Sequence, residues 1–309
     1  MVVKMNKNEL KNIKGVTLVE MMIGVVIASI MMAAMYTTYS VVNNSYSQVV
    51  DRAKISRSGR DVVEMIIRDV RMAGFHYFAG ENTQNIPLSN YLQYIGGTGT
   101  VSIQESHDPL IVKRNTLGYN GVGSIAGTAA EKHDTVNDKC CDRIHIVYGD
   151  FDQNSATQPY KKYRITYYAL PITNEDGSDP RYGVYKTKEG WNQPIGALGG
   201  AWIADCSECY TGELVRDHLD DMEFIVFDKK GKRLLNTATR EFPQPDDDTF
   251  VDLYKISVVD IRLTFRSNKP FYSKVKERIV TGLGDRNRPH EDRYFRESVV
   301  VTVHTRNIN

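Results

Sequence analysis

Residues 16–40 form a run of 25 positions in which Glu20 is the only charged side chain, and no proline interrupts it. Leu, Ile, Val, Met and Ala dominate the run. At about 1.5 Å per residue, a helix of that length crosses a hydrocarbon layer roughly 30 Å thick. Lys4, Lys7, Lys11 and Lys14, opposed only by Glu9, precede it. Positive charge on this flank predicts that the flank stays cytoplasmic and the long C-terminal part is exported. A secretory signal would have an apolar region of about 7–15 residues ending in a small-residue cleavage site. Here the run is longer, and the glycine at the junction, Gly15, comes before it. An ionised acid in lipid is costly unless it is paired, so a plain single-pass anchor leaves Glu20 unexplained. Cutting the chain after Gly15 would supply a cation, the new ammonium of Val16.

The run continues without proline as far as Met72, changing from wholly apolar to amphipathic. Val41, Val42, Tyr46, Val49, Val50, Val62, Met65, Ile66, Asp69 and Val70 give a mixed helical spacing, and Arg52, Lys54, Arg57, Arg60, Glu64 and Arg68 fill other positions. Gly24 and Gly59 each weaken a helix by about 1 kcal/mol relative to alanine, which makes Gly59 the place for a bend. Gly74 is a suitable stop. The spacing predicts one helix over 16–72, about 85 Å if unbroken. Its first half needs lipid or other copies, and its second half needs a covering sheet.

The string Lys14-Gly15-Val16-Thr17-Leu18-Val19-Glu20-Met21-Met22 resembles the prepilin cleavage and methylation signature of type IV pilins and type II secretion pseudopilins. The resemblance implies cleavage between Gly15 and Val16 by a membrane-embedded prepilin peptidase, and methylation of the Val16 amine. It also implies that Glu20 neutralises the N-terminus of a neighbouring subunit in a helical filament. The family usually has Phe at the first mature position, where this chain has Val16. The string Arg68-Asp69-Val70-Arg71-Met72-Ala73-Gly74-Phe75 is similar to the end of the stalk helix in PilW-like minor pilins. The segments 213–227, 258–267 and 299–307 resemble the strands of that subfamily more diffusely.

From residue 143 onward the text changes to strands. Residues 144–148, 163–168, 182–185, 222–227, 256–265 and 299–305 are β-branched or aromatic and roughly alternate, which predicts an antiparallel meander rather than a βα alternation. A shorter strand is predicted over 110–113, and residues 228–232 should turn 222–227 into 233–235. The acidic run 245–248 and the basic stretch 285–293 read as exposed loops. Segment 75–142 is otherwise loop-like. Its glycine-rich string 121–127 lacks the spacing of a dinucleotide fold and the Lys-Ser/Thr ending of a nucleotide loop.

Four cysteines occur as Cys140-Cys141 and Cys206-Ser207-Glu208-Cys209. In an exported, oxidising setting they read as structural disulfides, ahead of a zinc site, for which adjacent cysteines lack the usual spacer, and ahead of free thiols. A bond between neighbouring residues is disfavoured, so the expectation is at least one bridge from Cys140 or Cys141 to Cys206 or Cys209. Four cysteines allow three full pairings, and the sequence does not choose among them.

No catalytic, metal or cofactor site is evident. The seven histidines fall in no metal spacing. A calcium-loop start at Asp150, Asp152 and Asn154 fails, because Ser155 stands for glycine and Lys161 for glutamate. The leader's net +3 against +1 for the whole chain leaves a remainder of −2, which argues against a generally basic nucleic-acid surface.

The expected architecture is α+β: a leader over 1–15, a membrane half of the helix over 16–40, its amphipathic half over 41–74, and an antiparallel β domain over 75–309. The resemblance implies a non-enzymatic minor pilin of the PilW-like kind. Such a chain is held in the inner membrane with a periplasmic domain before it enters a pilus near the tip. Its implied partners are the prepilin peptidase, the assembly platform, the major pilin, other minor pilins and, before assembly, lipid. The rival readings are a minor pseudopilin of a type II secretion system and a membrane-anchored periplasmic enzyme.

Overall fold

A computed structural model of the chain describes residues 15–75, 109–113, 116–117, 132–133, 140–151, 160–172, 181–192, 201–234, 241–242, 256–283 and 287–308. Residues 1–14 of the leader, the glycine-rich stretches 96–99 and 118–127, residues 152–159 of the calcium-like string and the acidic run 245–248 lie outside the described residues.

One helix, α1, runs over Leu18–Met72, within two residues of the expected start and ending where the sequence predicts. Contacts divide the chain into two compact units, Met1–Asp51 and Arg52–Asn309. In the first unit no described residue is buried, and Val16, Leu18, Met22, Ile27, Met32 and Tyr36 are among its exposed apolar side chains. By length and composition α1 can cross a membrane.

In the second unit α1 becomes a packed element. Ser58, Gly59, Val62, Val63, Ile66, Asp69 and Val70 are buried, a stripe at the three- and four-residue spacing of one helix face. Ile66 and Val70 are fully enclosed. Gly59 is a point of close approach, since a Cβ there would lie 3.0 Å from Val299 Cγ2 and 3.4 Å from the Phe265 ring. The glycine that the sequence marks as a weak point thus lets the helix settle onto the sheet.

The sheet is built from β1 (Leu110–Lys113), β4 (Arg143–Phe151), β5 (Tyr160–Ile172), β6 (Arg181–Asn192), β7 (Ala201–Ile203), β8 (Tyr210–Asp228), β9 (Glu241–Phe242), β10 (Ile256–Arg266) and β13 (Arg296–His304). Two short ribbons, β2 (Thr116–Leu117) with β3 (Lys132–His133) and β11 (Lys276–Thr281) with β12 (Asn287–Asp292), stand apart from it. The order is β13-β10-β8-β6-β5-β4-β1-β9, with β7 on β6. The pairings in this sheet are antiparallel, as the meander requires. Ile144, Ile146, Tyr167, Phe224, Val259, Ile261 and Leu263 join the α1 stripe in one core.

Two expectations change. Residues 287–292, read as part of a basic loop, form β12 and pair with β11; charged side chains and Pro289 hide the strand, because its inward face is satisfied by ion pairs rather than by apolar contacts. Of the strand expected at 233–235, Arg233 forms an isolated bridge with Phe227, Leu234 lies outside any strand, and residue 235 lies outside the described residues. The turn before it holds: Asp228 Oδ1 accepts the backbone N–H of Lys230 and Lys232 at 2.8 and 2.7 Å, and Gly231 takes φ 77°.

Candidate assembly site

At the N-terminal end, Gly15, Val16 and Thr17 lie outside the helix and are exposed, and a Cβ on Gly15 would meet nothing within 4 Å. Thr17 and Glu20 close on one another. Thr17 N–H and Oγ1–H donate to Glu20 Oε2 at 3.0 and 3.1 Å, and Glu20 N–H donates to Thr17 Oγ1 at 3.3 Å. This is a capping box, which satisfies backbone donors that the first turn leaves free. The Thr-x-x-Glu spacing ahead of an apolar run signals it in the sequence. In the single chain, Glu20 therefore already has partners.

At the other end the helix is fastened to the sheet. Asp69 is fully buried. Lys186 Nζ of β6 lies 2.8 Å from Asp69 Oδ2, and Tyr167 OH of β5 donates to the same oxygen at 2.6 Å. Lys186 Nζ also sits 5.3 Å from the centre of the Tyr167 ring. Burial first, and then the Asp69 charge and hydrogen bond, hold the Tyr167 hydroxyl far above its ordinary pKa. It therefore stays a donor at any physiological pH. The sequence places Asp69 on the helix, but only the register of β5 and β6 (Tyr167 opposite Lys186) brings its partners together.

Gly74 completes the fastening. Its φ is 73°, and a Cβ would fall 2.9 Å from the Asn307 carbonyl oxygen, so the left-handed turn and the close approach both call for glycine. Gly74 N–H donates to the Val147 carbonyl at 2.8 Å, and Asn307 Nδ2 donates to the Arg71 carbonyl at 3.0 Å.

The four cysteines pair within their clusters, Cys140 with Cys141 and Cys206 with Cys209, which corrects the expected bridge between them. The reason is β8. Cys209 directly precedes its first residue, Tyr210, whereas Asp142 N–H bonds to the Met222 carbonyl far along the same strand. About a dozen strand residues lie between the two places, roughly 25–30 Å once the bulges of β8 against β6 are allowed for, and a disulfide needs its Cα atoms within about 7 Å. The sulfurs of Cys140 and Cys141 and a carboxylate oxygen of Asp221 also lie within 4.8 Å of one another, close enough for one ion to touch all three. These groups are committed elsewhere: the thiols to each other, and Asp221 to Arg262 at 3.2 Å and to Met222 N–H at 2.9 Å.

Residues 10–36 match the sequence profile of the prokaryotic N-terminal methylation motif. No characterised protein matches the chain significantly. Among solved structures, a type IV-like pilin from Thermus thermophilus aligns over 65% of this chain and 84% of its own, at 9% identity and a TM-score of 0.29. A likeness that slight carries no conclusion about individual residues. The motif and the apolar helix fit membrane anchoring followed by entry into a pilus. With the methylation motif at the head of one long apolar helix, and an antiparallel sheet packed on its C-terminal part, the chain is type IV pilin-like.

Proposed function

We propose that the chain is a minor type IV pilin of the PilW-like kind, cut after Gly15, methylated on Val16, and carried into the pilus near its tip, where it helps to start assembly. The prepilin peptidase, the assembly platform, the major pilin and other minor pilins are its partners. Before assembly, residues 16–40 span the inner membrane and the sheet domain is periplasmic. The supporting observation is the pairing of an exposed junction at Gly15 and Val16 with a helix whose first half buries nothing of its own. A peptidase needs the first, and a bundle of like helices needs the second.

Glu20 has a defined task in this account. While the subunit is alone in lipid, the capping box with Thr17 keeps the carboxylate hydrogen-bonded. On assembly the ammonium of a processed neighbour's Val16 takes over, and the attraction of opposite charges in a low-dielectric bundle fixes the register of the two helices. Intact-mass measurement on protein made beside the peptidase tests the processing step. Loss of residues 1–15 with one added methyl is the expected result. A mature chain that keeps Met1 through Gly15 removes the pilin role.

A further inference from the structure

The second unit carries two exposed surfaces of opposite character. One is an open groove of about 780 Å³ at the C-terminal end of α1, lined by Glu64, Ile67, Arg68, Arg71, Met72, Phe75, Arg306 and Asn307. Ile67, Met72 and Phe75 give it an apolar floor, and three guanidiniums outweigh the single carboxylate. Arg68 lies 3.5 Å from its neighbour Asp69. Arg71 and Arg306 are exposed, and their side chains make no ion pair among the described residues.

The other surface is the outer face of the β11–β12 ribbon. Ile279 stands opposite Pro289, and Glu277 opposite Glu291. All four are exposed, with Ile279 at 68%. Like charges directly opposite one another on a ribbon destabilise it, and no ion pair relieves Glu277 or Glu291 among the described residues. The inner face is held firmly. His290 Nε2 is 3.1 Å from Asp220 Oδ2, Arg296 joins Asp220 and Asp292 at 3.0 and 2.6 Å, and Leu283 N–H donates to Glu223 at 2.9 Å. The ribbon is thus a preformed element that presents two acids, without an ion pair among the described residues, around an apolar pair.

We propose that the groove receives the β11–β12 ribbon of a second copy of this chain. Ile279 and Pro289 would settle against Ile67, Met72 and Phe75, while Glu277 and Glu291 meet Arg71 and Arg306. Each surface carries the charge the other lacks, and each is relieved of like-charge crowding by the contact. The two patches differ, so the contact is head-to-tail: a copy with a filled groove still offers its ribbon to the next. The contact uses only residues 52–309, and it needs neither cleavage after Gly15 nor Glu20. Its failure is therefore separable from failure of the pilin role.

The test co-purifies two differently tagged full-length copies from detergent micelles. One variant carries Arg71→Glu with Arg306→Glu, and the other Glu277→Arg with Glu291→Arg. Any association through the apolar helix is common to every pair. Wild-type copies should capture each other, and two copies of either variant should do so on the order of tenfold less, since like charges now face each other. One copy of each variant should recover the capture, because the ribbon of the first and the groove of the second remain intact. Equal capture in every pairing overturns the proposal, as does failure of the mixed pair to recover. Loss of filament incorporation by the groove variant, with wild-type copies that never capture one another, would assign the groove to a different subunit and also overturn it.

Discussion

Along one continuous helix the chain uses two modes of stabilisation. Residues 18–51 bury no side chain, while residues 52–72 bury a full stripe and a carboxylate. Both parts are helical because proline is absent and caps are present. What differs is who supplies the partners. The later part meets a sheet encoded in the same chain, joined through Asp69, Tyr167 and Lys186. The earlier part has its own Thr17–Glu20 box and a few hydroxyl bonds back to the helix backbone, as at Ser29 and Thr38, and buries no described side chain. Under the proposed role, a helix face that no described residue covers is left to assembly, and the same substitution should have different consequences on the two parts.

The largest effect is expected at Asp69. Asp69→Ala leaves Lys186 charged, buried and unpaired, which should cost about 3–5 kcal/mol. Asp69→Asn combined with Lys186→Met should cost clearly less than the sum of the single changes. Denaturant unfolding of the detergent-solubilised chain measures both. Ile66→Ala should follow at about 2–5 kcal/mol, against no change in the unfolding of the sheet domain for Ile27→Ala. Equal losses at positions 66 and 27 would break the comparison.

A smaller loss, about 1–3 kcal/mol, is expected from Gly74→Ala, which places a side chain on a left-handed residue against the Asn307 carbonyl. The same readout applies.

Acid should loosen the second unit before the first. Burial pushes the Asp220 carboxyl up, but contact with His290 and the Arg296 guanidinium outweigh burial and hold it below its ordinary range. Asp292 is lowered in the same way by Arg296 and the Tyr294 N–H. A depressed folded pKa contributes stability that is complete above the unfolded value of about 3.9 and disappears as pH falls through the folded value. The stability of the sheet domain should therefore fall steeply below about pH 4, and Asp220→Asn should flatten that fall. Circular dichroism against pH reads it.

The smallest effect belongs to Thr17→Ala, which removes about 1 kcal/mol of capping. It should speed amide exchange in the first turn and leave the sheet domain unchanged.

The helix was legible because its signals are local: an apolar run, no proline, a glycine stop. So were the main strands, where aromatic and β-branched residues alternate. The β11–β12 ribbon was not, since its inner face is paired through Asp220, His290 and Arg296, residues far apart in sequence whose meeting depends on tertiary register. The Asp69 anchor was hidden for the same reason. The cysteine pairing was misjudged because the sequence does not reveal that β8 runs unbroken from Tyr210 to Asp228 and holds the clusters apart. Glu20 drew notice as an acid in an apolar run, yet its local partner Thr17 was in plain view three residues away.

Glu20→Gln separates the observed cap from the proposed charge pairing most directly. Glutamine serves a capping box as glutamate does, so the variant should insert, be cleaved after Gly15 and fold normally, but it has no charge to offer a neighbour's ammonium. The measurement is the ratio of the variant in sheared pili to the variant in membranes, beside wild type. The account predicts normal membrane abundance and a filament fraction reduced on the order of tenfold or more, as the loss of one charge pair in a low-dielectric bundle implies. Wild-type incorporation would contradict it, leaving Glu20 as a helix cap and nothing more.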